Sequence, residues 1–293
     1  MKRILISLAL VLMMVVSLAA CGAGGDAESS PSTSAANGAP EEELPSGKLA
    51  VVGSTSVSPV IESIVAKYSD VNPNLEIEIQ AVGSSAGIEA AINGSADIGM
   101  ASRDVKEEEL AEGLVATEIA LDGIAVIVNT ENEASDLTTE QVQKIFKGEI
   151  TNWKDVGGAD AEITVISREE GSGTRSSFEE LLDLVADDNS SLVSERALVQ
   201  EGTGGVKAGV FGNPNAVGYI SLGMMDDSVK AVSVDGVEAT VENVLDKSYG
   251  VMRPFLVVTK GEPAGNVKVF LDYVLSDEAQ VLVEEESYIP VNK

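Results

Sequence analysis

Two observations predict an α/β protein with material for two lobes. The chain has 293 residues, 44% of them hydrophobic, enough for two compact units of roughly 100 to 150 residues each. From Lys48 onward, short apolar runs alternate with stretches of helical period, the pattern of strands feeding helices.

Taken in order, "KLAVVG" reads as a buried strand, followed by Ile61, Ile64, Val65 and Tyr68 at helical spacing. "LEIEIQAVG" alternates as a strand, "SSAGIEAAINGS" supplies a helix and "ADIGMAS" a further strand. "GIAVIVN" at 123–129 is a buried strand. In "TTEQVQKIF", Thr138 and Gln141 form a capping-box pair, with Val142, Ile145 and Phe146 on one face. "AEITVIS" leads as a strand into "SREEGSGTRSSFEE", whose helix carries Phe178, Leu181, Leu182 and Val185 on one stripe. Trp153 reads as a packing residue, "EGTGG" at 201–205 as a loop, and "GYISLG" at 218–223 as a buried strand and turn. "PFLVVT" at 254–259 is the last strand, and a C-terminal helix buries Val269, Phe270, Val274 and Leu282.

The first twenty residues form an export signal: Lys2 and Arg3 precede an apolar run from Ile4 to Ala20 that ends in small residues. The segment closes on "LAAC", which resembles the bacterial lipobox. Cys21, the one cysteine of the chain, is then expected to be lipidated and to become the first mature residue. Residues 21–47 are small, polar or acidic with no apolar period, so they predict a disordered tether with a reach of about 25 to 30 Å.

Composition excludes several functions. A formal charge of −29 sets long-range repulsion against nucleic acid. With no histidine anywhere, the usual general base and zinc ligand are missing. No cofactor, metal or catalytic residue is expected.

Three strand-to-helix junctions share one chemistry: "GSTSVSP" at 53–59, "GSSAG" at 83–87 and "GSGTR" at 171–175. Each sets glycine and hydroxyl residues at a helix N-terminus, where free N–H groups and the helix dipole favour an anion. Ser, Thr and Gly serve equally well as caps and turns, and for one junction alone that reading would prevail. Three junctions together favour an oxyanion site. Of the five arginines after the signal, Arg103, Arg168 and Arg175 lie in or beside these stretches. No junction ends in Gly-Lys-Ser/Thr, which excludes a P-loop, and no serine has an activating base. About eight to ten donors at roughly 1 kcal/mol net each would offset immobilisation and leave a micromolar site.

The segments "GSTSVSPV", "GSSAGI", "ADIGMASR", "DGIAVIVN", "FKGEITNWKDVGG", "SREEGSGTR" and "NAVGYISLG" stand in that order along the chain. In them the chain resembles the phosphate-binding lipoproteins of bacterial ABC phosphate importers. The resemblance implies a two-lobed, periplasmic-binding-protein-like fold of type II, with a mixed sheet flanked by helices in each lobe. One lobe is expected from 48–122 plus 260–293 and the other from 123–259, including the two hinge strands. It further implies a monomer at the outer face of the cytoplasmic membrane, anchored through Cys21, that captures inorganic phosphate and delivers it to the membrane permease.

Carried over by position, the resemblance implies Thr55, Ser56, Ser84, Ser85, Arg168, Ser172, Gly173 and Thr174 as phosphate contacts, with Glu170 orienting Arg168. Many relatives read Ser-Asp where this chain has Ser102-Arg103, and that Asp accepts the proton of bound monohydrogen phosphate. Ser102 and Arg103 are retained as contacts, and Asp122 is the candidate replacement acceptor, with Arg103 as its partner or a direct ligand. Receptors for sulfate or molybdate, and a phosphate-sensing or adhesion lipoprotein, remain open alternatives.

Overall fold

The computed structural model describes residues 44–292. The export signal, Cys21 and the tether up to residue 43 lie outside them. Among the described residues, no helix is long and apolar enough to cross a membrane.

The first elements are β1 (Gly47–Gly53), α1 (Ser58–Val71), β2 (Leu75–Ala81), α2 (Ser84–Asn93), β3 (Ile98–Ala101) and α3 (Glu107–Ala111). A long strand, β4 (Leu114–Asn129), follows, then β5 (Asp136–Leu137), α4 (Thr139–Lys147), β6 (Thr164–Arg168) and α5 (Gly173–Leu181). Next come β7 (Leu198–Gln200), α6 (Gly202–Phe211), β8 (Ala216–Ser221), β9 (Val229–Ala231), β10 (Ser233–Val234) and α7 (Val241–Leu245). The chain closes with β11 (Met252–Lys260), α8 (Gly265–Val274), α9 (Asp277–Glu285) and β12 (Ile289–Pro290).

The main sheet runs β2-β1-β3-β11-β4-β8-β6-β7, with β9 and β12 also paired to β4. β1 is parallel to β2 and β3, and β6 is parallel to β7 and β8. β11 and β4 run antiparallel to each other and to the neighbours on either side. The first half of β4 therefore belongs to one end of the sheet and the second half to the other.

Among the described residues, the two largest of four hydrophobic cores lie along this sheet. In the first, Leu49, Val51, Ile61, Ile64 and Tyr68 meet Phe255, Val257, Phe270, Val274 and Val283. In the second, Val126, Val142, Ile145, Phe146 and Trp153 meet Phe178 and Tyr219, whose rings stack at 3.9 Å. Within β4, Ile124, Val126 and Val128 face this second core while Ala125 and Ile127 face α6, as expected of a strand covered on both sides. The Trp153 indole N–H donates to Asn215 O at 3.0 Å, which satisfies its one polar group inside the core.

Several sequence expectations change. The strand read at 123–129 begins at Leu114, so Asp122 lies inside it rather than before it. The stripe on α5 shifts because the helix ends at Leu181, which is 42% exposed. Asp183 then adopts a left-handed backbone (φ 48°), and Leu184 rather than Val185 turns inward. The single C-terminal helix is two, since Ser276 caps α9 by accepting from Ala279 N. Phe270 and Val274 are buried, Leu282 packs half-buried against the first core beside the buried Ala279 and Val283, and Val269 is 40% exposed. The loop at 201–205 is the first turn of α6.

The capping box is formed: Gln141 N donates to Thr138 Oγ1 at 3.1 Å, and Thr138 N donates to Gln141 Oε1 at 2.8 Å. Thr138→Ala removes one exposed cap and nothing else. It is expected to lower stability by about 1 kcal/mol, read as a shift of the urea midpoint with an unchanged slope.

Candidate anion-binding site

The site is built where four helices begin. At the end of β1, Gly53 has φ 147°, and a Cβ there would lie 2.2 Å from Met100 O, so only glycine allows this turn. Ser54 Oγ then accepts from Ser56 N and Val57 N at 3.2 and 3.3 Å and donates to Ser102 Oγ at 2.9 Å. Ser84 opens α2, with its Oγ accepting from Ser102 N at 3.1 Å. Ser172 caps α5 by accepting from Arg175 N at 3.2 Å. Gly202 opens α6, its N–H donating to Glu169 Oε2 at 3.2 Å.

Arg168, the last residue of β6, is 1% exposed and lies among these helix entrances. Its Nη1 donates toward Thr174 Oγ1 and Thr203 Oγ1 at 3.4 and 3.3 Å, and its Nη2 toward Thr55 Oγ1 at 3.2 Å. Ser56 Oγ, fully buried, is 3.0 Å from both Thr174 Oγ1 and Thr203 Oγ1. One guanidinium and four hydroxyls thus share one point, contributed by α5, α6 and the loop before α1. Each hydroxyl both donates and accepts, so its proton can turn to an oxyanion.

The guanidinium is fixed from behind. Its Nε and Nη2 donate to the two carboxyl oxygens of Glu169 at 2.8 and 2.7 Å. Burial pushes the Glu169 carboxyl up, but the Arg168 hydrogen bonds and charge prevail and hold it below the usual range. The Arg168 N–H donates to Tyr219 OH at 3.3 Å, and Tyr219 also bonds Ser167 Oγ at 2.9 Å. Burial pushes the Tyr219 phenol up to about 12, so it stays a neutral support.

The orienting carboxylate is therefore Glu169. Glu170, expected in that role, lines an open cavity of about 780 Å³ instead. Glu170 falls in the turn after β6, closed by Ser172 N donating to Glu169 O at 3.3 Å, which carries it to the cavity side.

Of the expected contacts, Thr55, Ser56, Arg168 and Thr174 come together. Gly173 lies against Ser84 and Ser102: a Cβ there would be 2.3 Å from Ser84 Oγ and 2.7 Å from Ser102 Oγ. Ser85 turns aside and accepts from Arg103 Nη2 at 3.2 Å.

Arg103 and Asp122 are not partners. Arg103 donates from Nη1 and Nη2 to the two Glu109 oxygens, both at 2.8 Å, at the wall of the open cavity. Asp122 is held by Arg253, whose Nε and Nη2 donate to Oδ2 at 3.1 and 2.9 Å, while Ser221 Oγ donates to Oδ1 at 2.9 Å. Burial pushes the Asp122 carboxyl up against the pull of Arg253 and Ser221. Removing either partner alone from such a buried pair costs about 3 to 5 kcal/mol.

Sequence reasoning passed over Thr203, Glu169 and Arg253. Thr203 sits in "EGTGG", a fourth glycine–hydroxyl run that repeats the signal of the other three. Arg253, in "MRPFLVV", is a cation at the start of an apolar strand, a pattern that asks for a buried partner. Among the described residues, no group of three or more His, Cys, Asp or Glu could hold a metal ion.

Residues 33–278 match the family model described as the PBP superfamily domain. Phosphate-binding protein PstS of Bacillus subtilis (strain 168) is 34% identical over 99% of this chain and 94% of its own length. The chain belongs to the PstS family of phosphate-binding proteins. Another PstS, from Borreliella burgdorferi, is 31% identical over 83% of this chain and 90% of its own. A solved structure from Clostridium perfringens, described as a phosphate ABC transporter substrate-binding protein with bound phosphate, is 49% identical. It superposes with a TM-score of 0.80 over 84% of this chain and 100% of that one. An ABC-type phosphate transport receptor from Vibrio cholerae is 39% identical, with a TM-score of 0.70 over 83% of this chain and 100% of its own. The fold is that of the PBP family, as the sequence resemblance implied.

In this PstS-family site, Gly173 and Gly204 make opposite demands. Gly173→Ala forces apart α5 and the Ser84–Ser102 pair and is expected to cost about 1 to 3 kcal/mol. Gly204, inside α6, has open space where a Cβ would stand. Gly204→Ala is therefore expected to stabilise by about 0.5 to 1 kcal/mol. Urea unfolding of the two variants would show midpoints moving in opposite directions.

Proposed function

We propose that this protein captures inorganic phosphate between two lobes and delivers it to an ABC-type importer. The observation that carries this reading is the meeting of the buried Arg168 guanidinium with the hydroxyls of Thr55, Ser56, Thr174 and Thr203. Thr174 and Thr203 stand in the first turns of α5 and α6, where the helix dipole favours negative charge. Phosphate is a small tetrahedral oxyanion with more acceptor sites than any one helix end can fill, and several helix entrances together supply donors for them. The names of the curated relatives and the phosphate-bound neighbour support the same ligand.

In this reading Arg168, with Glu169 behind it, provides the charge. Thr55, Ser56, Thr174 and Thr203 provide hydroxyls, and Ser84, Ser102, Ser172 and Gly173 shape the second side. Monohydrogen phosphate also needs one acceptor for its proton, a role the dual-purpose hydroxyls can fill. Asp122 leaves the ligand set because Arg253 and Ser221 occupy its oxygens. The lobes are 48–122 with 260–293, and 123–259, joined by β4 and β11, and they close on the ion. Lipid on Cys21 holds the monomer at the outer membrane face beside its permease. The cycle is capture and release, without a chemical step.

The test is isothermal titration calorimetry of the ligand-free protein with phosphate and then sulfate at pH 8. Phosphate is expected to bind at micromolar Kd or tighter. Equal binding of sulfate would replace this reading with a general tetrahedral oxyanion receptor. Arg168→Gln removes charge-assisted donors worth about 1.5 to 3 kcal/mol each, so phosphate affinity should fall by roughly a hundredfold or more.

A further inference from the structure

We propose that the Asp122–Arg253 pair is a positioning element that couples occupancy of the Arg168 site to the bend between the two cores. The inference rests on the reading above, in which the cores close on phosphate.

Asp122 and Arg253 stand opposite each other in the β4–β11 ladder, the two strands through which the cores are joined. Their side chains are 0% and 1% exposed. Two residues away, between Phe255 and Leu256, the register shifts as a β-bulge, the device that bends a strand locally.

The pair reaches in both directions. Toward the anion site, Arg253 Nη1 donates to Ser102 O at 3.2 Å. Ser102 is in turn bonded to Ser54 and Ser84 at the first turns beside the site, and Ser102 O also accepts from Ser177 of α5 at 3.2 Å. Toward the second core, Ser221 at the end of β8 donates to Asp122 Oδ1. Arg253 lies 5.4 Å from the Phe255 ring, itself part of the first core. A movement of α5 against the first core disturbs the Ser177 bond to Ser102 O, which Arg253 also holds. A pair placed away from both cores would need no such connections.

In this arrangement the Arg253 cation is bonded to Asp122 and Ser102 O, and the Ser221 hydroxyl to Asp122. A closing motion that moves β8 relative to β3 has to break or re-form the Ser221 and Ser102 bonds together, because one Arg–Asp unit carries both. In this proposal the Arg–Asp unit is the element whose arrangement both sides bias.

The test compares the full chain in mild detergent with Asp122→Asn and Ser221→Ala. Phosphate affinity is read by equilibrium dialysis, and protection of β8 and the following 222–225 segment by hydrogen exchange with and without phosphate. Asp122→Asn strands the Arg253 charge and can unfold the chain; Ser221→Ala leaves the ion pair intact and removes the Ser221 hydroxyl from Asp122 and from Tyr288 beside it, so it decides the matter if the first variant does not fold. The expected result is an affinity loss on the order of tenfold, with phosphate-induced protection lost at β8 but kept at the first turns of α1 and α5. A merely structural role would lower protection everywhere in proportion, with or without phosphate, and that result overturns the coupler. So does a Ser221→Ala chain that matches the wild type in affinity and in β8 protection. A wild-type chain that fails to bind phosphate instead overturns the functional reading itself.

Discussion

The structure depends on keeping a guanidinium charged while 1% of its residue's surface is exposed. An unpaired buried charge is too costly to persist, so the surroundings of Arg168 are dictated. Glu169 neutralises it from one side, three threonine hydroxyls face it from another, and Tyr219 holds its main chain. Tyr219 can do this because it stacks on Phe178 in the second core, while Ser56, which touches two of the threonines, belongs to the first. The charge therefore ties the packing of both cores to one point. Around that point stand a guanidinium and hydroxyls whose protons can turn inward, an arrangement that suits an anion.

Arginine and lysine divide the work in a chain of net charge −29. Arg103, Arg168 and Arg253 are nearly fully buried, each forked onto a carboxylate. Lys48, Lys144, Lys154 and Lys268 sit in exposed pairs of little energetic weight. The planar guanidinium suits enclosure because several donors are met by fixed acceptors, whereas an ammonium keeps its water. An acidic exterior with buried arginines is no contradiction: carboxylates beyond a Debye length of about 8 Å are screened, and the anion meets local donors at contact distance.

How much of this was legible in the sequence depends on the range of each interaction. The helix entrances at Ser54, Ser84 and Ser172 were readable because a cap and a glycine turn are local, and the Thr138–Gln141 box likewise formed as spaced. The choice between Glu169 and Glu170 was not, since both are one or two residues from Arg168 and only the direction of the chain after β6 selects between them. Arg103 and Asp122 looked like partners because each was an unexplained charge near the expected site. Their real partners, Glu109 and Arg253, are set by α3 folding back in one case and by ladder register in the other. Thr203 was the one omission that local reasoning could have repaired.

Asp122 and Arg253 also constrain which pairing of β4 and β11 is possible. Both strands are rich in Val, Ile, Leu and Ala, and apolar strands buried on both faces specify register weakly by pattern alone. A slip of one residue would turn one of the two charged side chains to the opposite face of the sheet, away from the other. Each would then be buried without its partner, at a cost far above that of a misplaced methyl group. The pair thus gives an otherwise uniform crossing a single allowed register. Since every loop of the site is hung from a strand whose place is counted from β4 or β11, that register also decides whether Thr55 and Ser56 arrive opposite Thr174 and Thr203.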